Sequence, residues 1–176
     1  TMRQQAEACG AEMAFDLITS VDFSKRPFVC KADSGDEYVA DAVIIATGAR
    51  AKWLGIPSEE HYNGRGVSAC ATCDGFFYRG KEVVVVGGGN SAVEEALYLS
   101  GLCSKVTVIH RRDSFRAEPV LIDRLKARDN IEVVWNSVVE EILGDDDAAG
   151  GVTGVRIKNV NTSARRELAC HGVFIA

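Results

Sequence analysis

The chain has 176 residues, of which 47% are hydrophobic and 26% are charged, a composition typical of globular proteins and unlike that of disordered or fibrous ones. Its net charge of −5 argues against a generally basic surface for nucleic acid or an anionic membrane. No apolar run approaches the roughly 20 residues that cross a bilayer, and the first residues lack the pattern of a signal peptide. We therefore expect a cytoplasmic protein.

The first part of the chain predicts a helix followed by a small antiparallel meander. The helix ends near Gly10, and three apolar or alternating runs follow it, at Glu12–Ser20, Phe28–Ala32 and Tyr38–Ala46. Turn residues separate these runs. The next segment, Ala51–Gly66, has a proline, two glycines and no clear period, which is typical of a linker between two structural units.

A strand, a helix and a second strand come next, in the order of a βαβ unit. These three segments are Lys81–Val86, Asn90–Ser100 and Lys105–Ile109. Further predicted elements are a helix at Phe115–Asp129, a strand at Ile131–Trp135, a hairpin of Val152–Asn159 with Arg166–Cys170, and a buried strand that starts at Gly172. The pattern predicts an α/β fold of Rossmann-like type, in three layers, with a parallel sheet and a β-meander.

A run of aspartates and glycines at Asp145–Gly151 predicts a solvated turn. Its carboxylates are of a type that binds metal ions, but the tip of the turn lacks supporting ligands. No metal site is predicted there.

A glycine-rich segment directly follows the first strand of the βαβ unit and begins its helix. It fits the G-x-G-x-x-A pattern with Gly87, Gly88, Gly89, Asn90, Ser91 and Ala92. Free backbone N–H groups and the positive helix end can hold a pyrophosphate there, while the alanine lets helix and strand approach. A flexible loop is the alternative, but the flanking strand and helix favour dinucleotide binding.

The end of the next strand indicates which dinucleotide binds. NAD sites have an Asp or Glu about 20 residues after the glycines that binds the ribose hydroxyl. At that place this chain carries His110, Arg111, Arg112 and Arg116. Arginine suits the 2′-phosphate of NADPH, so we expect NADPH rather than NADH. A solvated basic loop is the alternative, and His110 taken alone is equally consistent with a packed histidine.

Cys70 and Cys73 form the one Cys-x-x-Cys pair among the six cysteines. Such a pair can close a disulfide or supply half of a zinc site, but no second pair completes a zinc site. A redox pair is favoured, in which one thiolate attacks an external disulfide and the other resolves the mixed intermediate. Asp74 follows the pair and either exchanges a proton with the departing thiolate or caps a helix or turn.

A dithiol beside an NADPH site predicts a third redox group. NADPH delivers a hydride, whereas a disulfide accepts electrons through sulfur chemistry, and a flavin is the usual intermediary. The residues therefore indicate FAD or FMN as a further cofactor.

Three segments together resemble bacterial-type low-molecular-weight thioredoxin reductases. They are Ala69–Gly75, Gly87–Ala92 and His110–Ala117, in the family's order and spacing, and the likeness extends over essentially the whole chain. The resemblance implies a homodimer with FAD, in which an NADPH domain is inserted into an FAD domain. Electrons would pass from NADPH through FAD to the active disulfide and then to thioredoxin.

The resemblance also implies roles for single residues. Cys73 resembles the sulfur that faces the flavin, Cys70 the sulfur that exchanges with thioredoxin, and Asp74 the proton donor. The arginines that resemble the clamp on the 2′-phosphate are Arg111, Arg112 and Arg116, and the segment that resembles the passage near the flavin is Ala46, Thr47 and Gly48.

The same resemblance divides the chain into residues 1–51, part of an FAD domain, and residues 52–176, an NADPH-binding domain with the Cys-x-x-Cys pair. A second glycine-rich βαβ unit and a closing Gly-Asp segment, which hold FAD in the family, are missing. We expect flavin-dependent activity in a parent protein and, at most, NADPH binding by this chain alone. The alternatives are the flavoprotein reductase of an alkyl hydroperoxide system, a non-catalytic NADPH-binding or redox-sensing module, and a zinc-binding module.

Overall fold

The computed structural model describes residues 1–48, 51–147 and 150–176. The chain divides into two compact units, Thr1–Ala49 and Arg50–Ala176. Both mix helices with strands, and the second contains the predicted parallel sheet, so the α/β prediction is confirmed. Across these described ranges, no helix has the length and apolar character that crossing a bilayer requires.

The first unit is a short helix followed by a three-stranded antiparallel meander, as the sequence predicts. Its elements are α1 (Met2–Ala8), β1 (Ile18–Asp22), β2 (Phe28–Ala32) and β3 (Glu37–Ala40), and the strand order is β1-β2-β3. Thr1 caps α1 because its side chain accepts a hydrogen bond from the Gln4 N–H, and the Gln4 side chain bonds back to the Thr1 amine.

The predicted runs around this meander extend too far. The first strand begins only at Ile18, and the last ends at Ala40, although the apolar sequence continues to Ala46. Ile44 and Ile45 are 90% and 70% exposed. Among the described residues no strand pairs with this segment, and an apolar run forms a strand only where a neighbour takes its hydrogen bonds.

The second unit is built around a five-stranded parallel sheet. Its elements, in chain order, are α2 (Pro57–His61), β4 (Val67–Ser68), α3 (Ala71–Asp74), a 3₁₀ turn (Gly75–Tyr78), β5 (Glu82–Val86), α4 (Asn90–Ser100), β6 (Lys105–Ile109), α5 (Pro119–Lys126), β7 (Ile131–Val134), β8 (Ser137–Gly144), β9 (Val152–Asn159), β10 (Arg165–Ala169) and β11 (Gly172–Ile175). The parallel sheet has the order β4-β11-β5-β6-β7, and a second, antiparallel sheet has the order β10-β9-β8.

Two apolar cores lie on opposite faces of the parallel sheet, and this arrangement gives the unit three layers. Val83 and Val85 of β5 pack with α4, whereas Val84 packs with Val155 and Ile157 of the antiparallel sheet. Successive side chains of a strand point to opposite faces, so a run of four valines fills both cores.

The predicted linker at Ala51–Gly66 is wrong for most of its length. Leu54 and Ile56 pack against the core, and Tyr62 is buried at 6% exposure. The buried Glu59 carboxylate accepts hydrogen bonds from the N–H groups of Leu54 and Gly55, each at 2.8 Å. Backbone amides satisfied in this way fix the segment as part of the second unit.

Two other elements differ from the sequence prediction. Helix α5 begins at Pro119 rather than at Phe115, because the residue before a proline is restricted to extended conformations. The sequence pattern does not predict strand β8. Its register shifts between Val139 and Glu141, and this bulge breaks the alternation by which strands are recognised. In the solvated turn that follows β8, Ala148 and Ala149 lie outside the described residues.

Candidate functional site

The Cys70–Cys73 pair forms a disulfide bond at the start of the short helix α3. Cys70 is the N-terminal cap residue of α3, and its carbonyl accepts hydrogen bonds from the N–H groups of Cys73 and Asp74 at 3.2 and 3.1 Å. The Cys70 N–H donates to the Ser68 hydroxyl at 3.1 Å, which ties the helix start to β4. The disulfide therefore lies on backbone that hydrogen bonds hold on both sides.

Helix α3 packs directly on helix α4. A Cβ atom on Gly75, the residue that follows α3, would lie 2.9 Å from the Leu99 side chain and 3.2 Å from the Tyr98 side chain, so the backbone here lies close to α4. Ala71 is buried at 1% exposure, and it shares a core with Ala92 and Ala96 of α4. The packing of α3 on α4 joins the disulfide to the helix that the glycine-rich segment begins.

The glycine-rich segment links the carboxyl end of β5 to the first residue of α4, as the sequence predicts. A Cβ atom on Gly87 would lie 2.7 Å from the Ala92 Cβ, which shows how closely helix and strand approach here. The Asn90 side chain accepts a hydrogen bond from the Glu118 N–H at 2.9 Å, and Ser91 is exposed.

Gly88 and Gly89 have opposite surroundings. A Cβ atom on Gly88 would lie 2.2 Å from the His110 ring, whereas one on Gly89 would meet no atom within 4 Å. Among the described residues, no acceptor takes the N–H groups of these two glycines. Gly89 therefore presents open space with free backbone donors at a helix start, which suits an anion such as a pyrophosphate.

The His110 ring is buried and packs against the glycine-rich segment at Gly88. It is 8% exposed, its ring stacks on Phe115 with centroids 5.9 Å apart, and Trp135 contacts it edge-on at 6.1 Å. Burial lowers the pKa of His110 below its usual value, and the charges of Arg112 and Arg111 lower it further. The ring is thus held neutral and packed, and its contact with a phosphate stays a prediction.

The three predicted arginines are exposed at the carboxyl end of β6. Backbone hydrogen bonds hold two of them: the Arg116 N–H donates to the Gly88 carbonyl at 2.8 Å, and the Arg112 carbonyl accepts from the Asn136 N–H at 3.0 Å. No described residue forms a salt bridge or side-chain hydrogen bond with any of the three guanidinium groups. These cations stand beside the glycine-rich segment and are available to an anion.

The remaining predicted residues divide between the two units. Asp74 is half-buried at the end of α3. Ala46, Thr47 and Gly48 are exposed and belong to the first unit. Sequence reasoning missed two features of the site, an exposed aromatic pair after the disulfide, Phe76 and Phe77, and a carboxylate on α4, Glu95. Among the described residues, no group of three or more His, Cys, Asp or Glu side chains lies close enough to hold a metal ion.

The burial of the other four cysteines predicts how many thiols react with a reagent in solution. Cys9 is exposed, while Cys30, Cys103 and Cys170 are buried. Burial raises the pKa of the Cys170 thiol to about 12 and also raises that of Cys103, so these thiols are poor nucleophiles at neutral pH. A thiol reagent should label one cysteine quickly in the native oxidised chain and three after mild reduction, as read by mass spectrometry. Fast labelling of Cys170 would contradict the burial described here.

Comparisons with known proteins agree with this geometry. The family described as pyridine nucleotide-disulphide oxidoreductase matches residues 5–176. A thioredoxin reductase of Rickettsia conorii is 57% identical over 175 residues, 99% of this chain and 56% of that protein. A Pseudomonas fluorescens protein named glucosaminate ammonia-lyase is 56% identical over 178 residues, 99% of this chain and 54% of that protein.

Solved structures agree as well. A thioredoxin reductase from Giardia duodenalis is 42% identical, has a TM-score of 0.80, and is matched over 99% of this chain and 56% of its own. The chain spans about half the length of the curated relatives it matches. On its sequence and its fold alike, the chain belongs to the pyridine nucleotide-disulphide oxidoreductase family.

Proposed function

We propose that this chain supplies the NADPH site and the redox-active disulfide of a cytoplasmic, homodimeric thioredoxin-disulfide reductase that uses FAD. The observation that carries the proposal is the packing of the disulfide helix α3 on α4, the helix that begins at the glycine-rich segment. This packed pair of helices joins a reducible disulfide to the proposed dinucleotide loop. With a disulfide dye as the final electron acceptor, sustained NADPH turnover by the complete protein should require thioredoxin.

Membership of the family implies a pyridine nucleotide and a flavin as cofactors. The described residues fit the nucleotide. The open face of Gly89 and the unpaired N–H groups of Gly88 and Gly89 would hold its pyrophosphate, with Asn90, Ser91 and Ala92 in the first turn of the helix. Unpaired arginines at the end of β6 favour the 2′-phosphate of NADPH.

The flavin has fewer candidate ligands in this chain. The described residues contain one strand, glycine loop and helix unit, and the proposed nucleotide site uses it. Ala46, Thr47 and Gly48 are exposed backbone that would contact FAD in the complete protein. When bound, FAD would accept the hydride of NADPH and pass an electron pair on to the disulfide.

The chemistry of the dithiol then follows from sulfur exchange. An electron pair breaks the bond between the two sulfurs, and each sulfur ends as a thiol or thiolate. Attack of one thiolate on the disulfide of thioredoxin forms a mixed disulfide, which the second thiolate resolves. We assign the attack to Cys70, the resolution to Cys73 and the proton transfer to Asp74. Cys73 is exposed and Cys70 is half-buried in the oxidised state.

The surface beside the disulfide supports a protein as the electron acceptor. Phe76 and Phe77 are 65% and 69% exposed directly after α3. Phe77 also lines an open groove of about 470 Å³, together with Asp74, Lys81 and His171 among others. Exposed aromatic side chains beside a groove are typical of surfaces that bind another protein. The ammonia-lyase named among the relatives has less support, because ammonia elimination has no need of a dithiol.

Two neighbouring glycines are expected to separate folding from nucleotide binding. Gly88→Ala would force a methyl group into the buried His110 ring and should lower the free energy of unfolding by about 2 kcal/mol or more. Gly89→Ala meets no atom and should change stability by less than about 1 kcal/mol. Its methyl group would occupy the space proposed for the pyrophosphate, so NADPH should bind at least about tenfold more weakly.

Thermal unfolding and calorimetric titration with NADPH measure the two effects separately. Each glycine serves as the control for the other. If a well-folded Gly89→Ala protein bound NADPH with full affinity, the pyrophosphate would not bind at this loop.

A further inference from the structure

A carboxylate on α4 contacts the backbone of the disulfide helix. Oε1 of Glu95 accepts a hydrogen bond from the Ala71 N–H at 3.5 Å, and Ala71 directly follows Cys70. Oε2 of Glu95 is buried, and no described residue donates a hydrogen bond to it. The preceding residue of α4, Glu94, is exposed.

This position is a costly one for a carboxylate. Burial raises the pKa of Glu95 above its ordinary value, while the Ala71 N–H acts in the opposite direction. A buried oxygen without a donor loses the hydrogen bonds it would make to water. A leucine or methionine would fill the same space without that cost, so packing alone does not account for a carboxylate here.

The charge of Glu95 opposes the reduction of the disulfide. Reduction converts a neutral disulfide into thiols that can ionise, and a nearby negative charge disfavours every anionic form of the pair. The hydrogen bond to the Ala71 N–H places the Glu95 carboxylate one peptide unit away from Cys70.

We propose that Glu95 is a positioning residue that holds the start of α3 on α4 and makes the Cys70–Cys73 disulfide harder to reduce. The purpose of this effect rests on the proposed function. A pair that is harder to reduce is, once reduced, a stronger electron donor to the disulfide of a partner protein.

The test measures the redox equilibrium of the disulfide in the chain itself. Oxidised chain is equilibrated with mixtures of reduced and oxidised dithiothreitol at neutral pH, quenched, alkylated and counted by mass. Dithiothreitol loses two electrons and two protons as it closes its ring disulfide, while the Cys70–Cys73 bond breaks and each sulfur gains one hydrogen. The equilibrium constant is the readout, and a purely structural role would leave it unchanged.

Glu95→Gln keeps an oxygen to accept the Ala71 N–H and removes the charge. We expect the equilibrium constant to shift about threefold to tenfold toward the dithiol. Glu94→Gln removes the same charge from the exposed neighbouring position and should stay close to the wild-type value. Circular dichroism checks the fold, and Glu95→Met, uncharged and of similar length, should give the same shift if the glutamine variant does not fold.

An unchanged equilibrium constant in the folded Glu95 variants, or a shift toward the disulfide, would overturn the proposal. So would an equal shift in Glu94→Gln. The measurement involves neither NADPH nor thioredoxin, so a negative result leaves the proposed function standing. Loss of the proposed function, conversely, would leave the measured effect of Glu95 on its disulfide intact.

Discussion

Replacing Cys70 or Cys73 with serine in the complete flavoprotein is expected to lower NADPH-dependent reduction of thioredoxin by about 1,000-fold or more. The two sulfurs form the disulfide that the proposed electron path must enter and leave. A single remaining thiol can form a mixed disulfide but cannot resolve it, so turnover stops after one event. Steady-state NADPH consumption in the presence of thioredoxin and a disulfide dye measures the loss.

The matched control is Cys9→Ser, which removes an exposed, free cysteine. It should keep full turnover. NADPH oxidation by an artificial electron acceptor should persist in all three variants, because that reaction bypasses the disulfide. Undiminished reduction of thioredoxin by the Cys70 or Cys73 variant would remove the disulfide from the electron path.

Replacing Arg111 and Arg112 together with alanine is expected to weaken NADPH binding by about 100-fold and to leave NADH binding nearly unchanged. Both arginines are exposed at the carboxyl end of β6, beside the open glycine loop, and no described residue neutralises them. Each charge-assisted contact to the 2′-phosphate should contribute about tenfold. NADH lacks that phosphate and therefore loses nothing.

Calorimetric titration of the double variant with NADPH and with NADH provides the measurement. Arg124→Ala, an exposed arginine in the last turn of α5, controls for the general loss of positive charge and should change NADPH affinity by less than about threefold. If the double variant weakened both nucleotides equally, the arginines would not select the cofactor.

The parts of the fold that the sequence predicts well are those with local causes. The four valines of β5, the glycine loop and the helix at Asn90–Ser100 are found where the pattern places them. Each depends on strand burial, turn geometry or helix periodicity within a few residues. The same locality makes the Cys70–Cys73 disulfide predictable, because three residues of spacing suffice to close it.

The features that were missed depend on contacts distant in sequence. Strand β8 is broken by a bulge opposite β9, and its pairing, rather than its own pattern, makes it a strand. The sequence pattern after Ala51 is that of a linker, but in the structure the Glu59 carboxylate accepts hydrogen bonds from two backbone N–H groups of this segment. Glu95 is 24 residues from Ala71, and only the packing of α3 on α4 brings the two together. No short-range pattern contains this information.

The most direct test of the proposed electron path is to ask whether NADPH alone reduces the disulfide. The complete flavoprotein is mixed anaerobically with a small excess of NADPH, then alkylated and digested. Mass spectrometry measures the mass of the peptide that contains Cys70 and Cys73. NADPH is expected to leave both cysteines alkylated, whereas an equal amount of NADH should leave most of them as disulfide. A disulfide that persists while NADPH is oxidised would contradict the proposed electron path.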